Sequence, residues 1–175
     1  QGALVLNTHF CGSLIDLSER TKNFQIIHLT GDPIVSKEVM KVYKSLGINH
    51  YVKEFEKQMD QAYLASDLVI SRAGASTIAE LIEYELPSIL IPYPYATDDH
   101  QMKNATILEQ KIKGSITIPQ DKLTAEGLSK AIFSLFNHDR SKLKQLHENI
   151  REYKGKSIEK DLKSIVCDLV GANQR

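Results

Sequence analysis

Two stretches of this sequence combine residue types and spacings suited to a ligand that is phosphorylated at one end and rich in hydroxyls at the other. The first runs from Asp67 to Glu80 and reads Asp-Leu-Val-Ile-Ser-Arg-Ala-Gly-Ala-Ser-Thr-Ile-Ala-Glu. An apolar run ends at Ser71, Gly74 permits a tight turn, and a helical pattern opens near Ser76. The first N–H groups of a helix have no partner inside it and carry the positive end of its dipole, so a pyrophosphate fits there. Any strand-Gly-helix turn offers that much, and the signal is weak by itself. Glu80 has two readings. Thr77-x-x-Glu80 has the spacing of a capping box, in which the carboxylate reaches back to the backbone at the helix start. Alternatively, the carboxylate accepts hydrogen bonds from both vicinal hydroxyls of a ribose. One side chain cannot do both fully.

The second stretch runs from Pro92 to Ala105 and reads Pro-Tyr-Pro-Tyr-Ala-Thr-Asp-Asp-His-Gln-Met-Lys-Asn-Ala. Asp98, Asp99 and His100 are metal-ligand types, but adjacent residues at a helix start diverge and no second cluster completes a coordination sphere. Asp98 or Asp99 as a helix N-cap is the plainer reading. Gln101 offers an amide donor and an amide acceptor, which matches sugar hydroxyls that act as both. Two further places are relevant. Phe55 either stacks on a base or packs in the core, and its neighbour Glu56 has a backbone N–H and C=O that could meet a pyrimidine edge. His28, inside an apolar run that ends at Thr30-Gly31, reads as a satisfied interior histidine rather than a base.

Short apolar, β-branched runs at 25–30, 51–55, 68–71, 88–92 and 115–118 are predicted strands, and helical periodicity covers 5–17, 35–46, 59–65, 77–84, 101–110 and 125–136. Strand followed by helix, repeated, predicts an α/β domain of Rossmann-like type: one parallel sheet with helices on both faces. Ligands in such sheets sit at the carboxyl ends of the strands, where both motifs fall. From 141 to 170 the pattern is helical throughout, and Ile158, Leu162, Ile165 and Leu169 draw an apolar stripe. No repeat or linker divides residues 1–175, which read as one domain.

With 22 Lys and Arg against 22 Asp and Glu, no net field draws the chain to nucleic acid or anionic lipid. Cys11 and Cys167 lack CxxC spacing and read as small buried residues of a reducing compartment rather than a disulfide or zinc site. No apolar run approaches the ~20 residues of a membrane span.

These segments together resemble the MurG family of glycosyltransferases, which have the two-domain GT-B fold. The resemblance is carried by Gln1-Gly2-Ala3-x-x-x-Asn7, by Ile27-His28-Leu29-Thr30-Gly31, by 67–80 with its Ser-Arg-Ala-Gly-Ala core, and by 92–105 with Asp-Asp-His-Gln-x-x-Asn-Ala. It is clear over about residues 1 to 135, and it implies the carboxyl-terminal, donor-binding half of an inverting enzyme. That enzyme would move GlcNAc from UDP-GlcNAc to lipid I, without a metal or other cofactor, at the cytoplasmic face of the cell membrane. The resemblance further implies that Glu80 holds the ribose, that Phe55 and Glu56 face the uracil, and that Met59 packs nearby. It places Gly74, Ala75, Ser76 and Thr77 at the diphosphate and Gln101 with His100 at the GlcNAc hydroxyls. A first strand, its glycine-rich loop and the acceptor domain with the general base would precede Gln1. The helices of 141–170 would then pack on that domain or, without it, pair with a second copy of the chain. Other GT-B enzymes, such as a UDP-GlcNAc 2-epimerase or a glycolipid glycosyltransferase, are the alternative, as is a stand-alone UDP-GlcNAc-binding subunit with a membrane-bound partner.

Overall fold

The computed structural model describes residues 2–21, 23–96, 99–136 and 139–158. Within them the order is α1 (Gly2–Arg20), β1 (Gln25–Leu29), α2 (Pro33–Leu46), β2 (Asn49–Lys53), α3 (Met59–Leu64), β3 (Val69–Ser71), α4 (Ala75–Glu83), β4 (Ser88–Leu90), α5 (His100–Thr106), β5 (Ser115–Thr117), α6 (Ala125–Phe136) and α7 (Ser141–Ile158). Every strand predicted from the sequence is present. α2 shows why the local signals were sufficient: Asp32 accepts from the N–H groups of Ile34 and Val35, Pro33 opens the first turn, and Gly47 closes the helix at φ 66°. The predicted strand 51–55 moves two residues earlier because its ladder with β1 pairs Gln25 with Asn49 and Leu29 with Lys53. Phe55 consequently lies beyond the sheet.

The strands form two parallel ladders, β1–β2 and β3–β4–β5, where the sequence pattern predicts one continuous sheet. No ladder joins β1 to β3 among the described residues. The two ladders nevertheless share a core: Ile26 of β1 clusters with Ile89 of β4, beside Val39 and Tyr43 of α2 and Leu14 and Leu17 of α1. β4 is buried along its whole length. Its Ile89 enters this first core, whereas Leu90 enters a second one with Tyr63, Ile78, Leu81, Leu108 and Ile150. Successive side chains of a strand point to opposite faces, so helices cover both sides of the sheet. α1 docks on α6, where Gly12 comes close to Ala125 and Ser129 donates to Asp16.

α7 packs on this domain: its Leu143, Leu146 and Ile150 are buried against the domain's own cores. Polar contacts hold it there: His147 donates to the carbonyl of Glu85, Lys154 to that of Glu83 and Asn149 to that of Lys113. The turns after α4 and after the wide π-helical end of α5 (Ile107–Ile112) expose those carbonyls, and α7 satisfies them. The stripe of Ile158, Leu162, Ile165 and Leu169 lies outside the residues whose side chains are described.

Gly114 makes this docking testable. A Cβ there would lie 2.8 Å from Cδ1 of Ile150 and closer still to its Cγ1. Gly114→Ala is therefore expected to destabilise the domain by about 1–3 kcal/mol, the usual cost of overpacking. Gly155→Ala, on the exposed side of α7 with nothing within 4 Å, should stabilise it by up to about 1 kcal/mol. Urea midpoints for the two variants that shift in the same direction would contradict this packing.

Candidate donor site at the strand ends

α4 begins one residue after Gly74, whose extended backbone (φ −63°, ψ 151°) turns the chain out of β3. The first bonded N–H in the helix is that of Ile78, donating to the carbonyl of Gly74 at 2.9 Å. The N–H groups of Ala75, Ser76 and Thr77 therefore stand at the positive end of the helix without an intrahelical partner. Because Gly74 is the N-cap, Thr77 is only the third helical residue and Glu80 the sixth. The capping box is thus ruled out: Glu80 is too far along the helix to reach back to its start. Its carboxylate is exposed and accepts one hydrogen bond, from the hydroxyl of Tyr63 at 2.7 Å. Tyr63, on α3, is buried and stacks near Tyr84. Burial, followed by the Glu80 carboxylate, pushes its phenol pKa up, so it remains a donor.

α5 clamps the same turn. Gln101 accepts through Oε1 from the N–H of Tyr93 at 2.9 Å and of Ala73 at 3.3 Å, while Asn104 donates to the carbonyl of Ala73 at 3.0 Å. Both backbone groups of the buried Ala73 are thereby held by α5. This corrects the expectation for Gln101: its acceptor is already used by backbone, and the amide NH₂ is what it can offer a ligand. His100 opens α5 and is exposed. Asp99 occupies the N-cap position at φ 56° but makes no capping hydrogen bond, contrary to the N-cap reading. Asp98 lies outside the described residues.

Arg72 ties three strand ends together. It donates to the carbonyls of Ile91 (3.0 Å) and Pro92 (3.4 Å) after β4 and to Oε1 of Gln120 (2.6 Å) after β5, and it lies over the Tyr93 ring. Arg72, Tyr63 and Asn104 were not singled out for roles from the sequence. Their partners are 17 to 48 residues away, and no local spacing announces them.

On the β2–α3 side, Phe55 is 72% exposed, so the core-packing alternative is excluded. The Glu56 carboxylate accepts from Gln58 N–H (3.0 Å), Lys53 Nζ (2.9 Å) and Tyr51 Oη (2.8 Å). These partners, the Gln58 N–H foremost, pull its pKa down to about 2. None of the described backbone–backbone hydrogen bonds uses the N–H or C=O of Glu56. Met59 starts α3 and packs against the second core. The loop leads into α3, whose Tyr63 donates to Glu80.

His28 is a satisfied interior histidine. Asn7 donates its amide N–H to the Thr30 carbonyl, which turns its Oδ1 to His28 Nε2 at 3.0 Å. Nε2 therefore carries the proton, and Nδ1 accepts from the Tyr43 hydroxyl at 2.5 Å. The network holds Thr30 and the Gly31 turn (φ 75°) at the end of β1.

A parallel α/β domain with an open helix start, an exposed carboxylate further along that helix and polar side chains gathered at the strand ends is of the architectural class whose ligand sites lie at the carboxyl edge of the sheet. The sequence matches the glycosyltransferase family 28 C-terminal domain over residues 1–163, and the chain belongs to that family. It is 40% identical over 170 residues to the UDP-N-acetylglucosamine–N-acetylmuramyl-(pentapeptide) pyrophosphoryl-undecaprenol N-acetylglucosamine transferase of Protochlamydia amoebophila, covering 96% of this chain and 44% of that protein. The transferase of the same name from Chlamydia felis is 36% identical over 168 residues, covering 96% and 46%. The chain therefore spans less than half the length of these relatives. The crystal structure of Acinetobacter baumannii MurG superposes with a TM-score of 0.74 at 27% identity, over 85% of this chain and 41% of that one. A glycosyltransferase of kitacinnamycin shares the fold at a TM-score of 0.55 and 14% identity, over 83% and 36%.

Proposed function

We propose that this chain is the donor-binding half of an inverting N-acetylglucosaminyltransferase that transfers GlcNAc from UDP-GlcNAc to lipid I, giving lipid II for peptidoglycan. The observation that carries the reading is Glu80. It is released from any capping duty, exposed, held by Tyr63 of α3, and carried on the helix, α4, whose open start offers three backbone N–H groups. In this reading the Glu80 carboxylate accepts from the ribose hydroxyls, and Gly74, Ala75, Ser76 and Thr77 receive the diphosphate. Phe55 and the backbone of Glu56 face the uracil, with Met59 behind them. The Gln101 amide and His100 meet the GlcNAc hydroxyls. As the acceptor's hydroxyl attacks C1, negative charge builds on the departing diphosphate. The fixed N–H dipoles at the start of α4 stabilise it there without needing to reorganise. The general base, the lipid I site and contact with the cytoplasmic face of the membrane belong to an amino-terminal domain of the complete protein.

The reading includes a first strand, ahead of α1, lying between β1 and β3. That no ladder joins these two strands among the described residues, although they share a core, supports that placement. Self-association through 158–169 belongs to the same reading and is checked by sedimentation of the parent and Leu162→Glu.

Calorimetric titration tests the donor site. UDP is expected to bind at least about tenfold more tightly than ADP, the equivalent of about 1.4 kcal/mol. Equal affinities would remove Phe55 and Glu56 from the base, and no binding of either would remove the donor site from this chain.

A further inference from the structure

Phe55 stands on a loop that leaves β2 at Lys53 and enters α3 at Met59, and 72% of its surface is open to solvent. An aromatic ring so exposed on a short connection would ordinarily sample many orientations, and a stacking platform loses affinity for each one it must give up on binding. Here the loop has an anchor. The Glu56 side chain is only 12% accessible, although it is charged and sits on a surface loop. Its Oε2 accepts from Tyr51 and Lys53, two residues apart and hence on one face of β2, and its Oε1 accepts from the N–H of Gln58 just before α3. One carboxylate thus joins the loop's entry to its exit, by hydrogen bonds of the charge-assisted kind. Glu56 also lines a cleft of about 300 Å³ with Tyr51, Lys53, Gln58, Gln61 and Ile27, so the anchor borders open space rather than filling the core.

We infer that the Glu56 side chain is a positioning residue for base recognition: clipping the strand to the helix, it holds the Phe55 ring in the arrangement that receives a pyrimidine. It does not touch the base itself and acts through Phe55. This rests on the donor-site reading above and adds to it a specific side chain whose chemistry is spent inside the loop. With its pKa near 2, the clip remains charged throughout the range in which the protein would work.

A double-mutant cycle in this chain separates positioning from general stabilisation. Glu56→Ala is expected to raise the Kd for UDP about tenfold, and Glu56→Gln, whose one amide oxygen can keep the Gln58 N–H while its NH₂ donates to the Tyr51 hydroxyl, only about two- to threefold. In a Phe55→Ala background the Glu56→Ala change should add less than about twofold, because the ring it positions is gone. A second readout needs no ligand. The sequence contains no Trp, so the indole introduced by Phe55→Trp is a sole reporter, and its anisotropy should fall when Glu56→Ala is added. Glu56→Ala leaving both Kd and anisotropy unchanged, or costing the same affinity with and without Phe55, overturns the inference. Phe55→Ala binding UDP as tightly as the parent overturns the base-facing reading itself, and the clip's role with it.

Discussion

Glu80→Gln is expected to weaken UDP binding by about 1.5–3 kcal/mol, roughly 10- to 150-fold, while leaving the melting temperature essentially where it was. The two halves of this result have separate causes. Affinity falls because a neutral amide replaces a carboxylate that would accept from two ribose hydroxyls, and charge-assisted hydrogen bonds are about twice as strong as neutral ones. Stability holds because Glu80 is the sixth residue of α4 and caps nothing, and Gln can still accept from the Tyr63 hydroxyl. Calorimetry with UDP and a thermal melt on the same sample read both. Undiminished UDP affinity would dismiss the ribose role, whatever the melt shows. Tyr63→Phe should give a smaller loss in the same direction, since it frees the carboxylate to turn without removing its charge.

The second large effect is on stability against pH and belongs to His28. Burial pulls its pKa down to about 4, against about 6.5 for an unburied imidazole. As pH falls through 6.5 the unfolded chain takes up a proton that the folded chain refuses, so protonation favours unfolding. The stabilisation associated with the neutral ring is therefore complete above pH 6.5 and is lost progressively until pH nears 4. The whole loss is on the order of 3 kcal/mol, with about 2 kcal/mol falling between pH 6.5 and 5, before most carboxylates titrate. The structural reason is burial: the ring is enclosed between Asn7 and Tyr43, where a charged imidazolium loses its water. Urea midpoints from pH 7.5 to 5 measure the slope. His28→Gln, whatever it costs at neutral pH, should flatten it, and an unchanged slope in that variant would place the titration elsewhere.

Much of this architecture was legible from local pattern. The helix predicted at 125–136 is α6 to the residue, and all five strands were found, because apolar periodicity is set by which face must be buried. Boundaries moved where pairing, not composition, decides them. β2 ends at Lys53 because the chain turns away after Glu54, whose carbonyl accepts from Gly31. Likewise, the two ladders could not be read from strands that look alike in sequence.

The site shows the same division. The sequence alone picked out the short segments proposed to carry the chemistry: a glycine turn into a helix at 74–77, a carboxylate at 80 and an amide at 101, all placed near strand ends by the alternation of strand and helix. Only the tertiary structure decided what each group is able to do. Whether Glu80 is a cap depends on where the chain leaves β3. Whether Gln101 can accept depends on two backbone N–H groups brought to it from Ala73 and Tyr93. Whether Phe55 packs in the core or faces solvent depends on where the ladder with β1 ends, at Lys53. Residue type sets a side chain's capacity for hydrogen bonds. Long-range packing sets how much of that capacity is already used, and so what remains for a ligand.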